Sequence, residues 1–270
     1  MTLPAAILLG IIQGLTEFLP VSSSAHLILA RFFFGWDAPA ELGLAFDVAL
    51  HIGTLAAILA FFRVELASMT RSIPRIFSAE PDASARLSRL IAIGTIPIVL
   101  VGLLFTDAIE RYLRTPAVAA GALVVGALAM MAAERLGQRT RTEASVTWTD
   151  ALIIGCAQAS ALVPGISRSG ATIAIGMFLG MRRDAAARFT FLLSIPAVLA
   201  AAAKESLELR QMLLTDQVLI LFAIGIVVSG IVGYLTIKYF LRFLAGHRLD
   251  AFAYYRLLLA AATVVWLWRY

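Results

Sequence analysis

The sequence predicts an all-α polytopic integral membrane protein: six full transmembrane helices plus two re-entrant helical hairpins, arranged as two inverted-topology repeats. Three observations carry that prediction. The 270 residues are 61% hydrophobic and 14% charged, with a mean hydropathy of +0.90, and the apolar runs are long enough to cross a hydrocarbon layer of about 30 Å. Two of those runs are interrupted by polar residues around a proline, over 13–26 and 158–172. The interruptions also resemble each other: Gly10, Gln13, Pro20 and Ser23 correspond to Gly155, Gln158, Pro164 and Ser167, at an offset of about 144 that slips by one. A weaker match continues downstream, where Phe46, Leu50, Ile52 and Ala57 align with Phe189, Leu193, Ile195 and Ala200.

Taken in order, residues 1–20 and 22–35 are each apolar but short, with Pro20 and three serines around the break. Proline removes a backbone donor and serine offers competing hydrogen bonds, so a continuous helix stops there. The freed backbone groups need a cavity or protein partners, because lipid cannot satisfy them. The expectation is a hairpin of two half-helices. Full spans are predicted at 42–62, 88–106 and 115–134, with a long polar connection over 63–87. A second broken pair, at 149–163 and 170–181, surrounds Pro164-Gly165, and spans at 186–204, 217–241 and 251–268 close the chain. The single membrane domain then divides into repeats 1–143 and 144–270. Residues 1–12 lack a basic region and a small-residue cleavage site, so they are expected to belong to the mature fold. Cys156, the single cysteine, excludes an intramolecular disulfide and has no metal-ligand companions.

Charge tests this layout. If each hairpin enters and leaves on one side, the connections at 63–89, 134–143, 182–188 and 238–248 share a face and hold 14 of the 22 Lys and Arg. The opposite face holds six: Arg31, Arg111, Arg114, Lys204, Arg210 and Arg269. Arg168 lies in a break and Arg256 within a span. The richer face is expected to be cytoplasmic, which puts both termini outside. The same rule accounts for the net charge of +5, which in this context does not point to nucleic acid. Three full crossings per half invert the second half relative to the first, so the two hairpin tips can meet near the midplane.

The tips carry the chemistry. Polar groups at bilayer depth are expensive, which makes them candidates for function. Glu17 follows Gln13 by four residues, so both project from one helical face; a carboxylate beside an amide oxygen suits Mg²⁺ or Ca²⁺ shared with substrate phosphates. The plainer role for Glu17 is an internal ion pair with an arginine. Ser22, Ser23 and Ser24 begin the returning half-helix, where exposed amides and the dipole favour an anion, although one serine would suffice as a cap. Ser23 is a candidate nucleophile and His26 the candidate base beside it. His51 and His247 read as ordinary structural residues, the first in a span without a motif and the second in a basic loop. In the second tip, Ser167, Ser169 and Thr172 surround Arg168, whose forked, permanent charge matches phosphate. Arg168 could also pair with Glu17 in the empty site and open for substrate. Together these are the parts of phosphoryl transfer on an amphiphile whose phosphates lie at the interface.

At these residues the sequence resembles the undecaprenyl-diphosphate phosphatase family, also called the bacitracin-resistance proteins. The matching pieces are Gln13-Gly-Leu-Thr-Glu-Phe-Leu-Pro-Val-Ser-Ser-Ser-Ala-His26 and Pro164-Gly-Ile-Ser-Arg-Ser-Gly-Ala-Thr172. The resemblance implies hydrolysis of the C55 isoprenoid diphosphate carrier to its monophosphate, recycling it for peptidoglycan, with a divalent cation and an outward-facing site in the bacterial inner membrane. It implies that Glu17 and Gln13 match the family's paired acidic motif, His26 its histidine, Ser23 a proposed nucleophile and Arg168 its phosphate-binding arginine. Two departures stand out. Gln13 occupies a position where many members have Glu, and Ala25 replaces a glycine often found before the histidine. Whether Ser23 attacks, or His26 acts directly or through water, is left open by the sequence. Membrane lipids are expected neighbours, and a homodimer is also compatible. The rival reading is a polyprenyl-phosphate transporter or flippase, with alternating access built on the same inverted halves.

Overall fold

A computed structural model describes residues 2–36, 40–78, 82–209 and 215–269. Arg210, counted above on the sparser face, lies outside them, as does the side chain of Lys204. Eleven α-helices are formed among the described residues, joined by turns, two short 3-10 segments and a single isolated bridge between Arg141 and Met181. They are α1 (Leu3–Thr16), α2 (Ser23–Phe34), α3 (Ala40–Phe61), α4 (Arg63–Ser72), α5 (Ala83–Leu113), α6 (Pro116–Leu136), α7 (Trp148–Ser160), α8 (Arg168–Phe178), α9 (Arg183–Leu209), α10 (Asp216–Leu244) and α11 (Asp250–Arg269). Six of them, α3, α5, α6, α9, α10 and α11, are long and apolar enough to cross a membrane. The protein is an all-α polytopic membrane protein.

The remaining apolar helices come in two short pairs. With 14 residues α1 is about 21 Å long, and α2, α7 and α8 are shorter still, below the length a span requires. Each pair packs on itself. The expected breaks are both present, and their cause is local. Thr2 caps α1 and Pro4 sits in its first turn; Thr147 and Asp150 form a reciprocal capping box at the start of α7. Each returning helix then begins on a serine with positive φ, Ser22 at 74° and Ser167 at 70°.

One connection and one span differ from expectation. The segment expected as a polar connection begins with a helix, α4, with Glu65 in its first turn and Arg71 in its last, charges that suit the macrodipole. The next span, expected over 88–106, extends to Leu113 because Thr106–Arg111 continues the helix as an exposed, polar turn beyond the apolar stretch.

Packing crosses between the halves. Helix α1 packs along α10, and α7 packs along α5; α6 pairs with α11, and α3 meets both α9 and α10. These approaches are close because small residues face each other. A Cβ on Gly14 would meet Val232 and Gly233, and one on Gly155 would meet the backbone of Gly94. The main apolar core lies around Phe189, Phe191 and Leu193 of α9, with Phe62, Ile154, Ile173 and Phe240 against them.

Ion pairs tie the connections into two groups. Buried Glu134 accepts from Arg183 and Arg139 and from the backbone N–H of Leu249. Arg188 reaches Glu65 at 2.8 Å and Glu143 at 3.6 Å, and Arg86 donates to the carbonyls of Ala144 and Val146. These bonds, with Arg248 at 3.8 Å from Glu134, join the four basic connections to one another. Elsewhere, Asp47 gathers Arg31 and Arg114 from the sparser set.

Candidate active site

The site forms where the two turns, 17–22 and 161–167, meet. Ser22 and Ser167 play the same part in each. The Ser22 hydroxyl accepts from the N–H of Ala25 at 3.4 Å and that of Ser167 from Gly170 at 3.2 Å. Each hydroxyl also pairs with the one two residues on, Ser24 at 3.2 Å and Ser169 at 3.3 Å. Ser22 and Ser167 are therefore the equivalent positions, which sets one offset of 145 through Gln13/Gln158 and removes the slip inferred from the prolines. A positive φ at serine costs about 1–3 kcal/mol and persists only where surroundings enforce it. The result is two helix N-termini, those of α2 and α8, held at one location.

Glu17 is the hub. As the residue closing α1 it is 8% exposed. Its Oε1 is paired with the Arg168 guanidinium from α8, and its Oε2 accepts from Gln13 Nε2 at 3.0 Å and from the Ser23 hydroxyl at 2.6 Å. Thus Glu17, Arg168, Ser23 and Gln13 are brought together across 151 residues of chain.

The partner of Ser23 differs from the one expected. His26 was expected as its base, but Ser23 donates to Glu17, while His26 is engaged elsewhere. The His26 Nδ1 faces the Ser22 carbonyl at 2.7 Å, so it is the donor there, and Nε2 takes the Tyr255 hydroxyl at 2.7 Å. The Tyr255 ring lies parallel to the imidazole at 5.6 Å. The reason is positional: from the first turn of α2 the imidazole reaches back to the residue that caps its own helix and sideways to α11, away from Glu17.

The remaining hydroxyls divide. Ser169 donates to the Leu19 carbonyl, joining the two tips, and Thr172 is back-bonded to the Arg168 carbonyl at 2.7 Å. Ser22 and Ser167 are caps. Ser23, Ser24 and Arg168 stay partly accessible among the candidates for phosphate contact.

Three residues of this region were missed. His51, read as structural, stands with Nε2 3.5 Å from Glu17 Oε2. Its signal was available, because Asp47 and His51 are four apart in an apolar span, the same spacing as Gln13 and Glu17. Arg256 is completely buried and donates only to main-chain carbonyls, those of Pro20 in one tip, Gly165 and Ile166 in the other, and Ala122 and Leu123 of α6. Gly126 makes room for it. An arginine in mid-span was itself the clue. Tyr255 had no sequence signal beyond lying next to Arg256.

The fit to a cation is poor. Both Glu17 oxygens are taken by donors, and Gln13 presents its N–H to the carboxylate, leaving its oxygen buried and without a partner. Among the described residues no group of three or more His, Cys, Asp or Glu is placed to hold a metal. Glu17 and Gln13 thus do not converge as an oxygen pair.

Electrostatically the region is strongly positive. Two helix N-termini and Arg168 surround a single carboxylate, and Arg256 adds a buried cation on the carbonyls behind the two turns, a balance that calls for an anion.

Comparison with known proteins agrees. The chain is 44% identical over 261 residues to an undecaprenyl-diphosphatase of Rubrobacter xylanophilus, covering 95% of each. It is 44% identical to undecaprenyl-diphosphatase 2 of Stutzerimonas stutzeri, covering 98% of each. A Thioalkalivibrio sulfidiphilus undecaprenyl-diphosphatase matches at 44% over 99% of this chain and 100% of that one. The profile described as bacitracin resistance protein BacA matches residues 6–262, and the chain belongs to that family.

Proposed function

We propose that this protein is a membrane phosphatase that hydrolyses undecaprenyl diphosphate to undecaprenyl phosphate and inorganic phosphate. It thereby returns the lipid carrier to peptidoglycan synthesis and confers bacitracin resistance. The observation that carries the mechanism is the Ser23 hydroxyl, donated at 2.6 Å to Glu17 at the N-terminus of α2. A nucleophile hydrogen-bonded to a base, beside helix-terminal amides and an arginine, is the arrangement covalent phosphoryl transfer requires. A transporter needs the anion site but not this pair.

In the first step the terminal phosphate draws Arg168 from Glu17 and settles against the amides that open α2 and α8. Ser23 Oγ forms a bond to phosphorus and passes its proton to Glu17. The bridging P–O bond breaks, and its electron pair leaves with the lipid monophosphate, a stable anion that needs no acid. In the second step water attacks the phosphoserine and gives its proton to His26 Nε2, which Tyr255 vacates. Ser23 leaves and recovers its proton from Glu17. A divalent cation, Mg²⁺ or Ca²⁺, would supply charge neutralisation to the diphosphate, and Gln13, which turns its N–H to Glu17, would not join Glu17 in holding it.

We place α1–α2 and α7–α8 as re-entrant hairpins in inverted repeats, with the site facing outward and both termini outside. Support comes from the bonds joining the four basic connections, which the charge rule assigns to the cytoplasm. The two ends of the second hairpin also meet, through Arg141 N–H to the Gly180 carbonyl and Arg182 N–H to the Arg141 carbonyl.

The test is phosphate release from undecaprenyl or farnesyl diphosphate by detergent-purified protein. Ser23→Ala is expected to lower release by at least about a hundredfold and to abolish a radiolabelled phosphoserine that the native protein forms from terminally labelled substrate. Native-like release by Ser23→Ala rejects Ser23 as nucleophile.

A further inference from the structure

We infer that His51 is a positioning residue of this site, holding Glu17 in place once Arg168 has moved onto the substrate. The inference deepens the reading above and rests on it. Glu17 has two basic neighbours on different oxygens: Arg168 on Oε1, from the second tip, and His51 at 3.5 Å from Oε2, from α3. They are built differently. Arg168 is a long side chain whose guanidinium is partly accessible and is the group a phosphate would claim.

His51 is anchored. Its Nδ1 donates at 2.7 Å to the carbonyl of Asp47, one turn back on α3. The Asp47 carboxylate is in turn held by Arg31 from α2, at 2.5 and 3.0 Å, and by Arg114 at the end of α5, at 2.5 Å. Two arginines therefore fix Asp47 by its carboxylate, its main-chain carbonyl carries His51, and His51 faces Glu17; all of these residues belong to the first half.

When phosphate takes Arg168, Glu17 keeps only Gln13 and Ser23 beside it unless His51 stays. A buried carboxylate that has lost a partner on one oxygen is free to turn unless the other oxygen is held. With His51 fixed, Oε2 stays aimed at Ser23 through the step in which it must accept the proton. One basic group leaves to bind substrate, and the other remains to keep the base in register.

The experiment uses the full-length protein in detergent with farnesyl diphosphate. His51→Leu is expected to lower kcat by about 10–100-fold, the usual effect of losing an outer partner, with KM changed by less than about threefold. His51→Gln returns an N–H at similar reach and is expected to recover most of kcat. Because His51 acts through Glu17, adding His51→Leu to Glu17→Gln is expected to cost nothing further, where independent roles would multiply. His51 is a third exposed, so Leu is tolerated, and an unchanged elution profile and melting temperature check this.

Normal kcat in His51→Leu beside an inactive Glu17→Gln overturns this inference alone. So does a raised KM at constant kcat, which marks a substrate contact, or a Gln variant no better than Leu. Full turnover in Glu17→Gln overturns the base assignment and this inference with it. Should the residual rate of Glu17→Gln be too small for the double variant, the kcat and KM split and the Gln recovery decide.

Discussion

The two hairpin tips share a backbone and divide the chemistry. Ser22 and Ser167 have φ values within a few degrees, 74° and 70°, cap their helices through the same hydroxyl, and touch the serine two residues on at nearly equal distances. Yet at positions where the first tip has Glu17, Ser23 and His26, the second has Leu162, Arg168 and Ala171. One tip supplies acid, hydroxyl and imidazole; the other supplies the cation. The like backbones give two facing helix N-termini, a ready anion cradle, and the unlike side chains put the proposed nucleophile on one side and the proposed clamp on the other. Arg256 enforces the meeting by binding carbonyls of both turns at once.

If the division of labour is right, removing the second tip's one charged group is as damaging as removing the base. Arg168→Ala is expected to lower kcat/KM for farnesyl diphosphate about a thousandfold with the fold intact, as for loss of a preorganised donor in a water-poor site. Arg168→Lys is expected to recover little, because a single ammonium cannot reproduce the planar fork. Near-native turnover in Arg168→Ala would break the comparison, since the second tip would then be scaffold only.

The shared backbone is tested by making the same change twice. Ser22→Ala and Ser167→Ala each lose a cap while keeping the positive φ, and each is expected to cost about 1 kcal/mol or slightly more in detergent unfolding. Glycine at either position loses the cap but relieves the backbone, and is expected to be close to neutral. The sharper expectation is equality: the two sites should agree to within about 0.5 kcal/mol, an ordinary spread for like substitutions. A large difference would show that the resemblance of the tips is superficial.

Much of this was legible in the sequence, and the reason is the membrane. In so apolar a chain each polar residue is conspicuous, so Glu17, Ser23 and Arg168 could be selected without a structure, and the six spans follow from length. Side-chain direction was not legible. Nothing in the spacing of Ser23 and His26 reveals that the imidazole turns to the Ser22 carbonyl and Tyr255 while the hydroxyl turns to Glu17. Long-range partners were equally hidden: His51 and Arg256 act on groups 34 and 236 positions away, which local pattern does not encode. The repeat offset slipped for a related reason, because proline was matched to proline when the structure matches cap to cap.

The smallest effect is expected at the glutamines, which share a position in α1 and α7 and are both fully buried. Gln13 donates to Glu17; Gln158 has neither side-chain atom bonded, because its half lacks the carboxylate at the corresponding position. A buried amide without partners costs about 1–3 kcal/mol. Gln158→Met, similar in volume, is therefore expected to raise stability by roughly 1 kcal/mol and leave turnover unchanged. Gln13→Met instead removes a donor from a charged acceptor and is expected to lower kcat about tenfold. The contrast follows from one difference, Glu17 against Leu162. If Gln158→Met lowered turnover as Gln13→Met does, the second tip would carry a polar function of its own, and the division drawn between the halves would have to be redrawn around Gln158.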